Sequence, residues 1–176
     1  MMNQQRLTAP DHLVVTLGPQ ARESILEEWT WLIGKEKRPL LVTACGDAFI
    51  EDPLEGKIHF LDVSAPALSP VAENRQKFEM LLAEPSFIEA YLYPERVDML
   101  RAKGLSLKKG QVYSFSIPLS LGGHITAENI DTIDAEVHFS IAGQIGCQIA
   151  DMPEGAPIGG IRIDRMPRKK SWWKFW

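Results

Sequence analysis

Carboxylates, histidines and cysteines are the side chains here that could do chemistry, and their spacing narrows what chemistry is open. Five acids, Asp47, Glu51, Asp52, Glu55 and Asp62, fall within a short stretch. Paired carboxylates serve as general acid and base, or hold a hard cation. No Asp-x-Asp-x-Asp-Gly loop accompanies them, and turns attract acidic residues on their own account, so solvated or structural roles weigh against a site. The four histidines, His12, His59, His124 and His138, are spread so that none stands at metal-ligand spacing from another. Cys45 and Cys147 form neither a zinc pattern nor a disulfide framework. Each reads as a small buried apolar residue in a reducing compartment. There is no Gly-x-Ser-x-Gly elbow, no Cys-His pattern and no Walker loop. No cofactor or metal is therefore expected, and catalysis has no motif to rest on.

The elements that must position these residues read as an α+β chain. Leu40–Thr43, Asp47–Ile50 and Ile58–Val63 are short apolar pieces separated by the turn EDPLEGK, the spacing of an antiparallel meander. Ala21 to Ile33 predicts a helix with Ile25, Leu26, Trp29, Leu32 and Ile33 as its apolar stripe, stopped at Gly34. Trp29 and Trp31, two apart, would point to different faces. Ser64 to Pro70 carries two prolines and predicts a loop or an edge segment. Asn74 to Ala83 predicts a helix capped by Asn74. Pro85 starts a second short helix and Pro94 separates it from a third, with Val97, Met99 and Leu100 inward and Gly104 beyond its end.

Gln111 to Ile149 is the most patterned block. Val112, Phe115 and Ile117 alternate with Ser114 and Ser116, a strand closed by Pro118. Gly122-Gly123 marks a turn or a close backbone approach. Ile130 and Ile133 predict another short strand. From Ala135 the period changes, because Val137, Ile141, Ile145 and Ile149 recur every four residues, with Ala142 between: one apolar face of a helix. His138 lies off that row and reads as a packed, hydrogen-bonded histidine. His124, just after the glycines, is the better surface contact. Together these elements predict one α+β domain over residues 11–164, an antiparallel sheet of about five strands covered by helices. Residues 1–10 are expected to form a flexible N-terminus and 165–176 a basic aromatic tail.

The order of these features resembles a known family. YSFSIPLSLGG, then AENIDTID, then VHFSIAGQI is similar to the C-terminal domain of bacterial immunity proteins that protect against type VI secretion DNase effectors, near the SUKH-type immunity proteins. Tyr113, Pro118, Leu121, Gly122, Gly123, Asn129, His138 and Gln144 carry the likeness. Upstream, ACGDAFIEDPLEGKIHFLDV fits through Gly46-Asp47 and Leu61-Asp62. The resemblance covers roughly residues 40 to 150. The chain departs from two-domain members in lacking most of their N-terminal domain and in adding the tail. The resemblance implies a cytoplasmic protein, not an enzyme, that binds and neutralises a toxin, a nuclease effector, by occluding it. It makes Asp47, Glu51, Asp52, Asp62, Tyr113, Gly122, Gly123, His124 and Asn129 the partner-binding candidates.

Charge and the termini bound the partners. The net charge of the 176 residues is −4, and Arg168, Lys169, Lys170 and Lys174 alone contribute four positive charges, so the rest of the chain stands at −8. Nucleic-acid binding needs a basic footprint, which this body lacks. An acidic body suits a basic partner such as a nuclease, although net charge also serves solubility in general. No apolar run approaches the roughly 20 residues of a membrane span, and MMNQQRLTAP lacks the apolar core of a secretory signal. Trp172, Trp173, Phe175 and Trp176 crowd the final residues and are expected to make contact with something. Three surfaces compete: the domain itself, a partner that uses tryptophan anchors, or an anionic membrane face, without stable insertion. The competing readings of the whole are a small-ligand binder or enzyme using the carboxylates of residues 47–62, and an adaptor acting through this tail.

Overall fold

A computed structural model describes residues 9–153 and 155–164. The tail aromatics Trp172, Trp173, Phe175 and Trp176 lie outside the described residues. Five strands, β1 (Val14–Val15), β2 (Arg38–Thr43), β3 (Ala48–Glu51), β4 (Ile58–Asp62) and β5 (Ala67–Ala72), form one antiparallel sheet in sequence order. Antiparallel neighbours need only short turns, and the turns are where the sequence places them. Gly46 takes φ 86° between β2 and β3. Asp52 closes the β3–β4 turn by accepting from the Leu54 and Glu55 N–H groups. Pro70 sits in β5 at the sheet's edge, where its missing N–H costs no ladder bond, and the register slips between Ile58 and His59 beside it. Ser64–Pro70 is thus partly the edge strand.

The block Gln111–Ile149 stands apart from that sheet. β6 (Gln111–Phe115) and β7 (Ile130–Asp134) pair only with each other, Tyr113 opposite Thr132. The Tyr113 N–H donates to the Ala44 carbonyl at 2.8 Å and so ties the ribbon to the end of β2. α6 (Ala135–Ile149) comes directly after β7, with the Asp134 carboxylate capping it through the Glu136 N–H.

Two apolar layers lie on opposite faces of the sheet because successive side chains of a strand point to opposite sides. On one face Phe49 and Phe60 meet Phe78 and Phe87 from α3 (Arg75–Leu81) and α4 (Pro85–Leu92), with Val97 and Leu100 of α5 (Pro94–Ala102) completing the layer. On the other, Ile50 and Leu61 meet Trp29, Val112 and Phe139. Full burial of side chains of this size stabilises by about 1.5–3 kcal/mol each.

Several sequence expectations are corrected. The helix expected over Ala21–Ile33 is three pieces: α1 (Pro19–Ser24), a 3₁₀ turn at Glu27–Trp29, and α2 (Thr30–Ile33). Leu26 and Trp29, near φ −98° and −107° with ψ close to 0°, interrupt the winding. Trp29 and Trp31 therefore stack, with ring centroids 6.2 Å apart and planes 22° from parallel, instead of diverging. Their indole N–H groups donate to two carbonyls of α6, Phe139 at 2.9 Å and Gly143 at 3.2 Å. That contact decides which side of α6 is buried. Ala135, Phe139, Gly143 and Gly146 face the core along with Ile145, while Val137, Ile141 and Ile149 are only half-buried. A Cβ at Gly143 would lie 2.7 Å from the Glu28 carbonyl oxygen, so only glycine lets the tryptophan segment come this close. Met99, expected inward, is 40 % exposed. Cys147 is exposed and Cys45 half-buried, where both were expected inside.

Candidate functional site

Part of the isoleucine row of α6 has a second use. Ile141 and Ile145, with Ile133 of β7 and with Ile161 and Ile163 from the chain beyond α6, wall a cleft of about 700 Å³. That volume is in the range of small-molecule and peptide-side-chain sites. Its other wall is the loop between β6 and β7, and its polar end gathers residues from three more elements: Cys45 and Asp47 of the β2–β3 turn, Asp62 at the end of β4, and Tyr93 and Arg96 at the start of α5.

The polar end is built with some care for its charges. Asp47 is 6 % exposed, and one of its oxygens accepts from the Val63 N–H at 2.9 Å. Burial nevertheless pushes its pKa up to about 7, against the pull of that bond, and the Asp62 charge adds to the rise. Asp62 accepts from its neighbours, the Ser64 hydroxyl at 2.8 Å and the Ala65 N–H at 2.9 Å. The Arg96 guanidinium lies 4.5 Å from the centre of the Tyr93 ring, a cation–π contact. Tyr93 joins two proline-started helices with φ 50°, a left-handed conformation that turns its ring back into the cleft. Burial, then Asp47 and Asp62, raises its hydroxyl to about 12. Burial likewise lifts the Cys45 thiol to about 11, which leaves it an inert thiol, since the thiolate is the nucleophile.

His138 leans into the same cleft from α6. Its Nε2 is 2.9 Å from the Gly46 carbonyl, which can only accept, so Nε2 carries the hydrogen. Nδ1 then accepts from the Ser114 hydroxyl at 2.8 Å. A serine–histidine contact of this length invites comparison with hydrolases. Burial, however, lowers the imidazole to about 4, so it takes the serine proton poorly near neutrality. Its far nitrogen faces a carbonyl where a triad has a carboxylate to stabilise the imidazolium. Among the described residues no three His, Cys, Asp or Glu side chains come together to hold a metal.

The rim of the cleft is the loop from Ser116 to Asn129. Asn129 clamps it: its side-chain oxygen accepts from Ile117 N–H at 2.8 Å, and its amide donates to the Ile117 and His124 carbonyls, both at 2.9 Å. Gly122 has φ 88°. Gly123 is needed for space instead, because a Cβ there would run into the Ile117 carbonyl and the Asn129 amide. The loop holds two large apolar side chains in solvent, Ile117 at 56 % and Ile125 at 63 % exposure.

The structure sorts the candidates read from the sequence. Asp47 and Asp62 meet at the cleft's polar end. Glu51 and Asp52 are at the other end of the same hairpin. There Asp52 pairs with Lys37 at 2.6 Å, and that bond holds its carboxyl down near 2. The five acids are thus not one cluster. Gly122, Gly123, His124 and Asn129 build the rim, His124 exposed and Asn129 inside it. Tyr113 is 3 % exposed and donates its hydroxyl to the Leu105 carbonyl, a core role that offers no surface. Arg96, Tyr93 and Ser114 were not singled out. Only Pro94, which breaks the helical run beside Tyr93, hints at their placement.

Comparison with known proteins bears on this region. The α+β fold is similar to that of a solved protein: the crystal structure of Atu4351 from Agrobacterium tumefaciens matches with a TM-score of 0.52 and 21 % sequence identity, over 74 % of this chain and 66 % of that one. This chain therefore spans just under two thirds of that structure's length, and at this identity the likeness is one of fold. Residues 72–146 match the family described as T6SS immunity protein Tdi1, C-terminal. That segment is similar to the C-terminal domain of type VI secretion immunity proteins, in agreement with the resemblance read from its motifs. It contains α3 to α5, the ribbon, the rim loop and most of α6, so Arg96, Ser114, Asn129 and His138 all fall inside it. No curated protein matches the chain. Among the described residues no helix is long and apolar enough to cross a membrane.

Proposed function

We propose that this protein is an immunity protein that binds a nuclease toxin delivered by type VI secretion and blocks it by covering its active site, in the cytoplasm and without catalysis of its own. The match of residues 72–146 to the immunity family carries this reading. The chemistry of the surface supports it. The body without residues 168–176 stands at −8, which suits a basic enzyme that handles nucleic acid. The rim loop offers Ile117 and Ile125 as exposed apolar anchors, with Gly122, His124 and the exposed Asp131 beside them. Exposed apolar side chains beside an exposed carboxylate suit a protein interface, where a few residues carry most of the affinity.

Co-expression with the candidate toxin encoded beside it tests the reading. A stable complex that relieves toxicity is the expected result. Ile125→Arg should weaken that complex by about 10- to 100-fold, the scale of a central anchor. Asp131→Lys should chiefly slow association and flatten its salt dependence. The absence of both a complex and protection would overturn the proposal.

The cleft itself favours one other reading, a small-ligand site centred on Asp47, Asp62 and Arg96; Glu51 and Asp52 take no part in it. A thermal-shift screen against metabolites separates the two, because a pure inhibitor gains no stability from any of them.

A further inference from the structure

The chain leaving α6 does not move away from the cleft. Gln148 takes both backbone groups of Arg162, accepting from its N–H at 3.0 Å and donating to its carbonyl at 2.7 Å. Gln144 then accepts from the Asp164 N–H at 2.9 Å. These bonds fix a direction. Residue 162 lies beside Gln148 and residue 164 beside Gln144, so the strap runs back along α6 from its C-terminal end towards His138. Ile161 and Ile163 already form part of the cleft wall. The strap therefore points along the groove, towards the end that holds Asp47 and Asp62.

The segment beyond the strap is complementary in sequence to the lining of the groove. Residues 165–176 contain Arg165, Arg168, Lys169, Lys170 and Lys174 and no acid, and they end in Trp172, Trp173, Phe175 and Trp176. Among the described residues the groove offers an isoleucine wall and three carboxylates, Asp47, Asp62 and Asp131, against one cation, Arg96. Reach is ample. Twelve extended residues span up to about 40 Å, whereas the stretch of α6 from Gln144 back to Ala135 is about 14 Å long.

We propose that the segment Arg168–Trp176 is the occupant of this cleft, its aromatic side chains laid against Ile133, Ile141 and Ile145 and its cations over Asp62 and Asp131. The cleft is then a docking groove for the protein's own segment beyond the strap. The contact is intramolecular, because the strap delivers the segment at high effective concentration.

Acrylamide quenching of tryptophan fluorescence in the full chain reads this directly. Three of the five tryptophans belong to the segment, and the other two, Trp29 and Trp31, are held against α6. The wild type should quench weakly at every protein concentration. Ile141→Lys should raise the quenching constant at least twofold and move the emission to longer wavelength. Asp131→Lys, at an exposed rim position that does not threaten the fold, should do the same to a smaller degree. Quenching in the wild type at the level of three free indoles, unchanged by either substitution, would overturn the proposal and leave the groove to a toxin segment or a small molecule. Protection that appears only as protein concentration rises would overturn it too, in favour of a second copy.

Discussion

The two faces of the sheet are packed by different rules. On the α3–α5 face, Phe49 touches Phe60, Phe78, Phe87 and Tyr91 with ring centroids between 4.8 and 5.9 Å. That layer holds chiefly by apolar area and ring geometry. On the α6 face, tryptophan N–H groups bond to helix carbonyls, glycines replace larger residues at the contact, and a histidine and an aspartate are set into the wall of a cleft. Polar groups out of water cost stability unless they are bonded. Their concentration on one face suits the recognition role proposed for the cleft, with the other face left to hold the fold.

Substitutions on each face sharpen that contrast. The largest effect is expected from Phe49→Ala, which removes the hub of the aromatic layer and should destabilise by about 3–5 kcal/mol. Chemical denaturation would check it, and a loss below 1 kcal/mol would mean the layer is loosely packed. On the other face Gly143→Ala adds one methyl group within 2.7 Å of the Glu28 backbone. It should cost about 1–3 kcal/mol by overpacking, although alanine is the better helix former. A stabilised Gly143→Ala variant would show that the tryptophan segment is not pressed onto α6 as described.

The two titrating groups of the cleft separate by pH. His138 is held at about 4, below its ordinary value, so unfolding takes up a proton there between roughly pH 4 and 6.5. Its contribution is complete above that window and is lost as pH falls through it. Asp47 is held at about 7, above its ordinary value. Its contribution is complete below about pH 4 and is lost as pH rises to 7. Each is on the order of 2 kcal/mol, discounted for the opening of the cleft. Asp62, Arg96 and Cys45 face Asp47 and do not change its direction. The two slopes oppose, so the wild type should show little pH dependence from this pair. His138→Gln should lose stability as pH rises from 4 to 7, and Asp47→Asn should gain it. Melting temperatures across that range decide, and slopes of the same sign in both variants would refute the assignment.

Much of the α3–α5 face was legible in the chain. Asn74 caps α3 through the Lys77 N–H at 2.9 Å, and Pro85 and Pro94 begin their helices, because capping and proline effects are local. The strand alternation also placed β2 to β4 and the ribbon. The cleft was not legible. Its polar end joins Asp47, Asp62, Tyr93, Arg96 and His138 from four separate elements, and no local signal links them. The Ile141–Ile145 row illustrates the limit: a four-residue period says that a helix has an apolar face, not whether that face meets a core or a groove. Here the glycines of α6 took the core side, because the tryptophan pair needed the room.

The smallest effect belongs to the rim. Asn129 is the only side chain among the described residues that bonds to both Ile117 and His124, and it uses one acceptor and two donor bonds to do so. Asn129→Ala should cost about 1–2 kcal/mol, the net worth of such bonds at a half-buried site. Asn129→Asp makes the finer test. Aspartate keeps the acceptor for the Ile117 N–H but sets a negative oxygen against two carbonyl oxygens. It should therefore destabilise at least as much as alanine above about pH 4, where the carboxylate is charged, and should recover in part below it. Hydrogen exchange at Ile117 and Gly123 should rise in both variants while exchange around Phe49 stays unchanged. A harmless aspartate would mean that the loop is shaped by Gly122 and Gly123 alone, and that the rim holds its form without the clamp.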